Sequence, residues 1–258
     1  MEIGLDIPKL PVFFAIIIYI FFLLYYISKA RKGIKLFLRK IPGIEAVDEA
    51  IGRATEMGRP ILYIPGLSTI SDVATIASLN ILARVARKAG EYETDIIVPN
   101  RNPVVYTVAK EVVKQAYTAI GRPDLFKDDS VFYVTDSQFG YTAAVCGIMV
   151  REKTATNFFM GMFWAESLLL AETGAATGAI QIAGTDAITQ LPFFITACDY
   201  TLIGEEFYAA SAYLSGEPVL VSTIRAQDAM KLIIAVLILL GGFLGLIGKA
   251  GILNFLFP

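Results

Sequence analysis

Two uncharged apolar runs, one near each end of the chain, constrain the fold more than any other feature. Between Leu10 and Ser28 the sequence LPVFFAIIIYIFFLLYYIS carries no charge. As a helix it reaches across a hydrocarbon core of ~30 Å. Tyr25 and Tyr26 close the run, where aromatic side chains favour the membrane–water interface. A cleaved signal peptide fits poorly. The preceding flank holds Glu2, Asp6 and only Lys9, and no small-residue cleavage site follows. After the run come Lys29, Arg31, Lys32, Lys35, Arg39 and Lys40. By the positive-inside rule this cluster belongs in the cytoplasm, and these six cations are expected to face lipid headgroups.

The second run, Leu232 to Gly248, lies between Lys231 and Lys249. It is near the lower limit for a span, and snorkelling of the two lysines extends it. A re-entrant or surface helix is the alternative. With both runs spanning, residues 1–40 are an anchor with a basic juxtamembrane segment. Residues 41–228 are then a cytoplasmic domain, and 229–258 a second anchor. The expected location is the cell membrane, with two spans.

The middle of the chain alternates short apolar runs with helical patterns. Strands are expected at Ile61–Gly66, Asp95–Asn100, Ser130–Asp136, Phe158–Trp164, Ile180–Asp186, Tyr200–Glu206 and Val219–Thr223. The punctuation between them is that of helices: Asn102 before Pro103, and glycines at 90 and 121. An amphipathic helix at Ile44–Met57 leads into the first strand. Continuous apolar strands separated by helices predict an α/β fold: a mostly parallel, Rossmann-like sheet with helices on both faces, flanked by N- and C-terminal transmembrane helices. The stretch Phe158–Ala197 is apolar enough to suggest further spans. Glu166, Glu172 and Asp186 interrupt it, which favours a buried core.

Composition removes several chemistries. The chain has no histidine and only two cysteines, Cys146 and Cys198. Ser-His-Asp and Cys-His catalysis are excluded, as is a four-ligand structural zinc site built by one chain. Neither a P-loop nor a GxGxxG fingerprint occurs, and the one basic cluster is juxtamembrane, so nucleic acid is not expected as a partner.

In an open parallel sheet, ligands bind at the carboxyl ends of the strands. That places candidate ligand-binding residues at Ser68, Asp72, Asn100, Arg101, Asp136, Gln138 and Glu205, with Thr69, Asn102, Thr185 and Glu206 beside them. Most such residues cap helices instead. One feature resists that reading. Between Thr154 and Ile224 there are seven acids and no Lys or Arg, and residues 41–228 hold 13 basic and 22 acidic residues, a net of −9. Buried carboxylates need partners. Distant arginines such as Arg101 or Arg151, exposure to water, raised pKa values or a cation would each answer that need. Oxygen-only sets suit Mg²⁺ or Ca²⁺, and the expected metal ligands are Asp136, Glu166 and Asp186. The small-residue stretch Ala171–Gly184 allows close backbone approach, as a tight helix–sheet contact or, alternatively, as a symmetric contact between copies, which exposed aromatics such as those of LPFFITACDY would mark.

The segments EAIGRATEMGRPILYIPG, DSQFGYTAAVCGIMVREK, AESLLLAETGA and ACDYTLIGEEFYAASAYLS resemble an uncharacterised family of membrane-anchored prokaryotic proteins with a cytoplasmic domain of unknown function. The resemblance covers most of residues 41–228 and implies no catalytic residues. The functional expectation is a membrane-anchored, self-associating scaffold or ligand-sensing protein with no turnover. Its expected partners are the lipid bilayer, further copies of the chain and a small-molecule ligand. The alternatives are a cation-dependent enzyme at the carboxyl edge and a transport or channel component.

Overall fold

Three to six consecutive residues, mostly β-branched, aromatic or otherwise apolar, form each of six strands in the computed structural model, which describes residues 10–34 and 42–246. They are β1 (Ile61–Ile64), β2 (Ile96–Asn100), β3 (Val131–Tyr133), β4 (Thr156–Met160), β5 (Ile180–Thr185) and β6 (Tyr200–Ile203). All pair in parallel in one sheet of order β3-β2-β1-β4-β5-β6. The chain runs outward from β1 to β3, then returns to β4 on the other side of β1. That reversal is the topological switch point of a doubly wound fold.

Period-2 alternation explains why the strands read as unbroken apolar runs. Ile61, Tyr63, Phe158 and Met160 enter one core with helices α2 (Pro42–Met57), α3 (Val73–Glu91), α4 (Pro103–Ala119) and α8 (Glu205–Ser215). Leu62, Ile64 and Phe159 enter a second core with α5 (Gln138–Glu152), α6 (Glu166–Ala176) and α7 (Leu191–Ala197). The helix starts are those the sequence marks. Asp72 accepts from the Ala74 amide at 2.9 Å, and Asn102 accepts from Val104 and Val105 at 2.9 and 3.1 Å. Ser137 caps α5. The apolar centre is core: Phe158, Phe159, Phe163, Leu170 and Phe194 are fully buried, and the Phe194 ring packs on Phe159 and Phe163.

The chain divides into two units, residues 39–215 and a second unit of residues 1–38 with 216–258. In the second unit, α1 (Leu10–Arg31) and α9 (Pro218–Leu246) pack together. Both are long and apolar enough to cross a membrane. The Ser222 hydroxyl reaches the Tyr26 carbonyl at 3.2 Å, so the end of α1 lies beside the start of α9 and the pair runs antiparallel. Their buried side chains, where described, are small: Ala30, Ser222 and Ala226. Small residues four apart let helix backbones approach closely.

Two expectations are corrected. Val219–Thr223 is not a strand but the first turns of α9, so residues 216–228 belong to the helix pair. Gly216, at φ +66, ends the preceding helix, and Pro218 starts the next at N1, with its carbonyl receiving the Ser222 hydroxyl at 2.6 Å. The strand expected at Phe158–Trp164 stops at Met160, because Gly161 takes φ +125. The helix opened by Pro103 ends at Ala119, with Gly121 at φ +75 just past its end, as the punctuation marks. The last residues of the expected second span, 247 and 248, lie outside the described residues.

At the switch point, Gly66 (φ +78) and Gly161 bring two loops into backbone contact. A Cβ on Gly161 would sit 2.8 Å from the Pro65 carbonyl oxygen, and one on Gly66 2.8 Å from the Met162 nitrogen. The Leu67 amide donates to the Met162 carbonyl at 2.9 Å. Gly161→Ala therefore costs about 2–4 kcal/mol by strain plus overlap. Gly178→Ala, at φ +72 with open space around it, costs about 1 kcal/mol. Denaturant unfolding followed by circular dichroism checks the pair; equal costs would contradict the close approach.

Candidate functional site

Five loops leave the carboxyl edge of the sheet beside the switch point, and one guanidinium ties three of them together. Arg101 follows β2. Its Nε donates to the Asp136 carbonyl at 2.9 Å and its Nη1 to the Leu67 carbonyl at 2.8 Å. Its plane lies 5.1 Å from the centroid of the Trp164 ring. Loops after β1, β3 and β4 are thus joined through a fork that lysine cannot reproduce.

Glu166 lies beneath this arrangement and is fully buried. Its Oε1 accepts from the Trp164 amide at 2.7 Å, and its Oε2 accepts a short hydrogen bond from the Gln138 side chain. Tyr141, also fully buried, donates to the Pro99 carbonyl at 2.8 Å. Burial, with the Glu166 carboxyl nearby, holds that phenol protonated well above the usual tyrosine range, against the opposing influence of Arg101. Asn100 is fully buried at the end of β2. It donates to the Val98 and Phe132 carbonyls at 2.9 and 3.4 Å, stitching β2 to β3, while its Oδ1 has no hydrogen-bond partner.

A second group forms at the start of α3 and the end of β5. The Tyr208 hydroxyl donates to Asp186 Oδ2 at 2.6 Å. Burial first, then that bond and the charges of Asp186 and Asp72, raises the Tyr208 pKa. Asp72 is therefore both the cap of α3 and a neighbour of this phenol.

The sequence-derived candidates separate accordingly. Arg101, Gln138 and Glu166 are brought together with the Asp136 backbone, and Asp72 lies with Asp186. Ser68 is half-buried in the loop after β1, Asp136 has an exposed side chain, and Glu205 and Glu206 open α8. The expected metal ligands Asp136, Glu166 and Asp186 do not gather: among the described residues no three Cys, Asp or Glu side chains form a set that could hold a metal ion. Lys29, Arg31 and Lys32 lie at the end of α1 and just beyond it. Lys35, Arg39 and Lys40 lie outside the described residues.

The expectation of sites at the carboxyl edge overlooks the opposite edge. There, a cavity of about 490 Å³ opens beneath the amino ends of β1, β2 and β3. Asp95, Lys127 and Asp129 line one side and Arg151 and Glu152 another, with Tyr117 from the last turn of α4. No motif announces these residues. The only sequence signal is the charge cluster KDD at 127–129, just before a strand.

A family described as a domain of unknown function (DUF6754) matches residues 3–256, and the chain belongs to it. The match extends over both apolar ends, beyond residues 41–228. No curated protein and no solved structure matches the chain.

Trp164 is the single tryptophan and reports on the Arg101 fork. Arg101→Ala removes two charged-donor bonds and a cation–π contact, a loss of about 2–4 kcal/mol with a changed Trp164 emission. Arg101→Lys recovers less than half of it. Unfolding followed by Trp164 fluorescence measures both, and a silent Arg101→Ala would refute the cross-linking role. Separately, burial and then the Asp199 carboxylate push the Cys198 thiol up to about 12. Alkylation of Cys198 in the folded chain therefore stays slow at pH 8 and rises only as the pH approaches that value. Mass-spectrometric labelling across pH tests this.

Proposed function

We propose that this member of the family is a membrane-anchored, self-associating scaffold or ligand-sensing protein with no turnover, its α/β unit held on the cytoplasmic side. The helix pair carries the reading. Along α1, Phe13, Phe14, Ile16, Phe21 and Leu24 are exposed, and along α9 so are Leu232, Ile238, Leu239, Leu240 and Phe243. Soluble monomers rarely expose apolar patches beyond a few hundred Å². In water such a pair would be costly, whereas in lipid it is matched by its solvent. The 22 residues of α1 rise about 33 Å, close to a hydrocarbon core. A lone N-terminal signal sequence would not bring a second apolar helix packed against it.

Orientation has two independent supports that agree. Lys29, Arg31 and Lys32 close α1, and Arg225 and Lys231 lie in the first half of α9. The antiparallel pairing puts both basic ends on the same side. The positive-inside rule then assigns that side, and the connections to the α/β unit, to the cytoplasm.

Self-association rests on the asymmetry of the two helical layers. Outward positions of α2, α3 and α4 carry many charges, among them Glu45, Glu49, Arg53, Arg87, Glu91, Glu111 and Lys114. Outward positions of α5, α6 and α7 include Phe139, Val150, Leu169 and Ile195, with only Arg151, Glu152 and Glu172 charged. Lipid headgroups would favour a basic face. A near-neutral apolar face suits a second copy, and anchoring in one membrane raises the effective concentration of copies.

Two measurements test the reading. Thr118→Cys, on an exposed position of α4, is expected to resist membrane-impermeant maleimide in intact cells and to react after permeabilisation. Labelling in intact cells would overturn the orientation. In mild detergent the native protein mass is expected at a multiple of 28.1 kDa, falling to one copy in Leu169→Glu. A monomeric wild type would remove self-association.

A further inference from the structure

At the amino edge of the sheet the physical environment is the reverse of that at the carboxyl edge. Helices α4 and α5 each follow a parallel strand, so their C-termini, at Ala119 and Glu152, arrive at the amino edge. Their dipoles are negative there and favour a cation. The cavity of about 490 Å³ lies at this place. Its size suits a small organic ligand.

The charges around it are nearly all answered, with one exception. Lys127 Nζ meets Asp95 Oδ1 at 2.6 Å, and Arg151 Nε meets Glu152 Oε1 at 3.0 Å. Asp129, exposed to solvent, has no ion-pair partner among the described residues, so the lining carries one unpaired carboxylate. Tyr117 adds an independent sign of a ligand. The residue is 4 % exposed, and its hydroxyl, at the cavity surface, makes no hydrogen bond to another described residue. The ring is held in place: a Cβ on Gly90 would come within 2.8 Å of it, and Phe126 packs at 6.5 Å between centroids. Burial, and then the Asp95 carboxylate, push the phenol up to about 12, so it is a proton donor at neutral pH. The Ser130 hydroxyl, also in the lining, is buried without a partner. Ile97, Phe132 and Ile148 supply an apolar wall.

We infer that this cavity binds an organic ammonium ligand, its cationic head at Asp129 and the Tyr117 hydroxyl and its apolar body against Ile97, Phe132 and Ile148. A metal ion is disfavoured, since no three ligating side chains gather among the described residues. An anion would have to displace acids already bound to Lys127 and Arg151. This site goes beyond the membrane reading and does not depend on insertion or self-association.

The test uses the full chain in detergent and three probes of equal shape: cyclohexylmethylammonium, cyclohexylmethanol and cyclohexanecarboxylate. Calorimetric titrations are corrected by titration into micelles alone. The ammonium is expected to bind once per chain, with the alcohol and the carboxylate about tenfold weaker or more. Asp129→Asn, an exposed position that leaves the fold intact, is expected to weaken the ammonium about tenfold and leave the alcohol unchanged. Ile148→Trp fills the cavity and is expected to abolish binding of all three, with unchanged far-ultraviolet circular dichroism confirming the fold. Equal affinity for the three probes, preference for the carboxylate, absence of saturable ammonium binding, or indifference to Asp129→Asn would each overturn the assignment. None of these outcomes bears on membrane anchoring, which the labelling of Thr118→Cys decides separately.

Discussion

Backbone contact between the loops after β1 and β4 governs what the carboxyl edge can be. In a doubly wound sheet these two loops diverge and leave a crevice for a ligand. Here Gly66 and Gly161 let them touch, and the Leu67 amide bonds the Met162 carbonyl. The two loops thus meet where that crevice would open. Arg101 then binds the Leu67 carbonyl across this seam, reaches the Asp136 carbonyl on the far side, and stacks on Trp164. Polar side chains that would face a ligand in an open edge instead hold loops to one another.

The alternation of apolar runs and capped helices made the sheet readable. Asp72, Asn102 and Ser137 cap the helices they precede, because the residue types that accept backbone N–H bonds are few and their spacing is local. The helical start of α9 was not readable, since the β-branched residues of VLVST suit a strand equally well and only packing against α1 decides. The Arg101 fork was half readable. Its position past β2 marked it, but its partners are backbone carbonyls, which every residue carries. The amino-edge cavity was the least readable part. Asp95, Tyr117 and Asp129 are brought together by the ends of separate elements, and no spacing rule links them.

The acid-rich stretch from Thr154 to Ile224 resolves without distant arginines or a cation at several of its members. Glu166 is bonded by an amide and a glutamine, Asp186 by a tyrosine hydroxyl, and the exposed Asp199 by the Gln181 amide at 2.7 Å. Neutral donors of this kind answer the loss of water around a carboxyl group while adding no charge. The same elements account for the apolar character of the region. Its phenylalanines fill the second core, and its small residues let α6 sit close to the sheet, where Gly174 packs directly on the Asn157 and Gln181 amides. A side chain at Gly174 would collide with that polar pair, so the small-residue stretch has a packing cause inside one copy.

Direction follows from these two edges. Parallel strands send every helix N-terminus to one edge and every C-terminus to the other, so a sheet of this kind is electrically polar before any side chain is placed. Most ligands of such folds are anions and use the positive edge. Here the loops after β1 and β4 touch at that edge and Arg101 ties its neighbours, while the negative edge keeps a cavity lined by Tyr117, Asp129 and the buried, unbonded Ser130 hydroxyl. The negative ends of α4 and α5 therefore set the sign of the charge that the amino-edge cavity favours, and that sign is cationic.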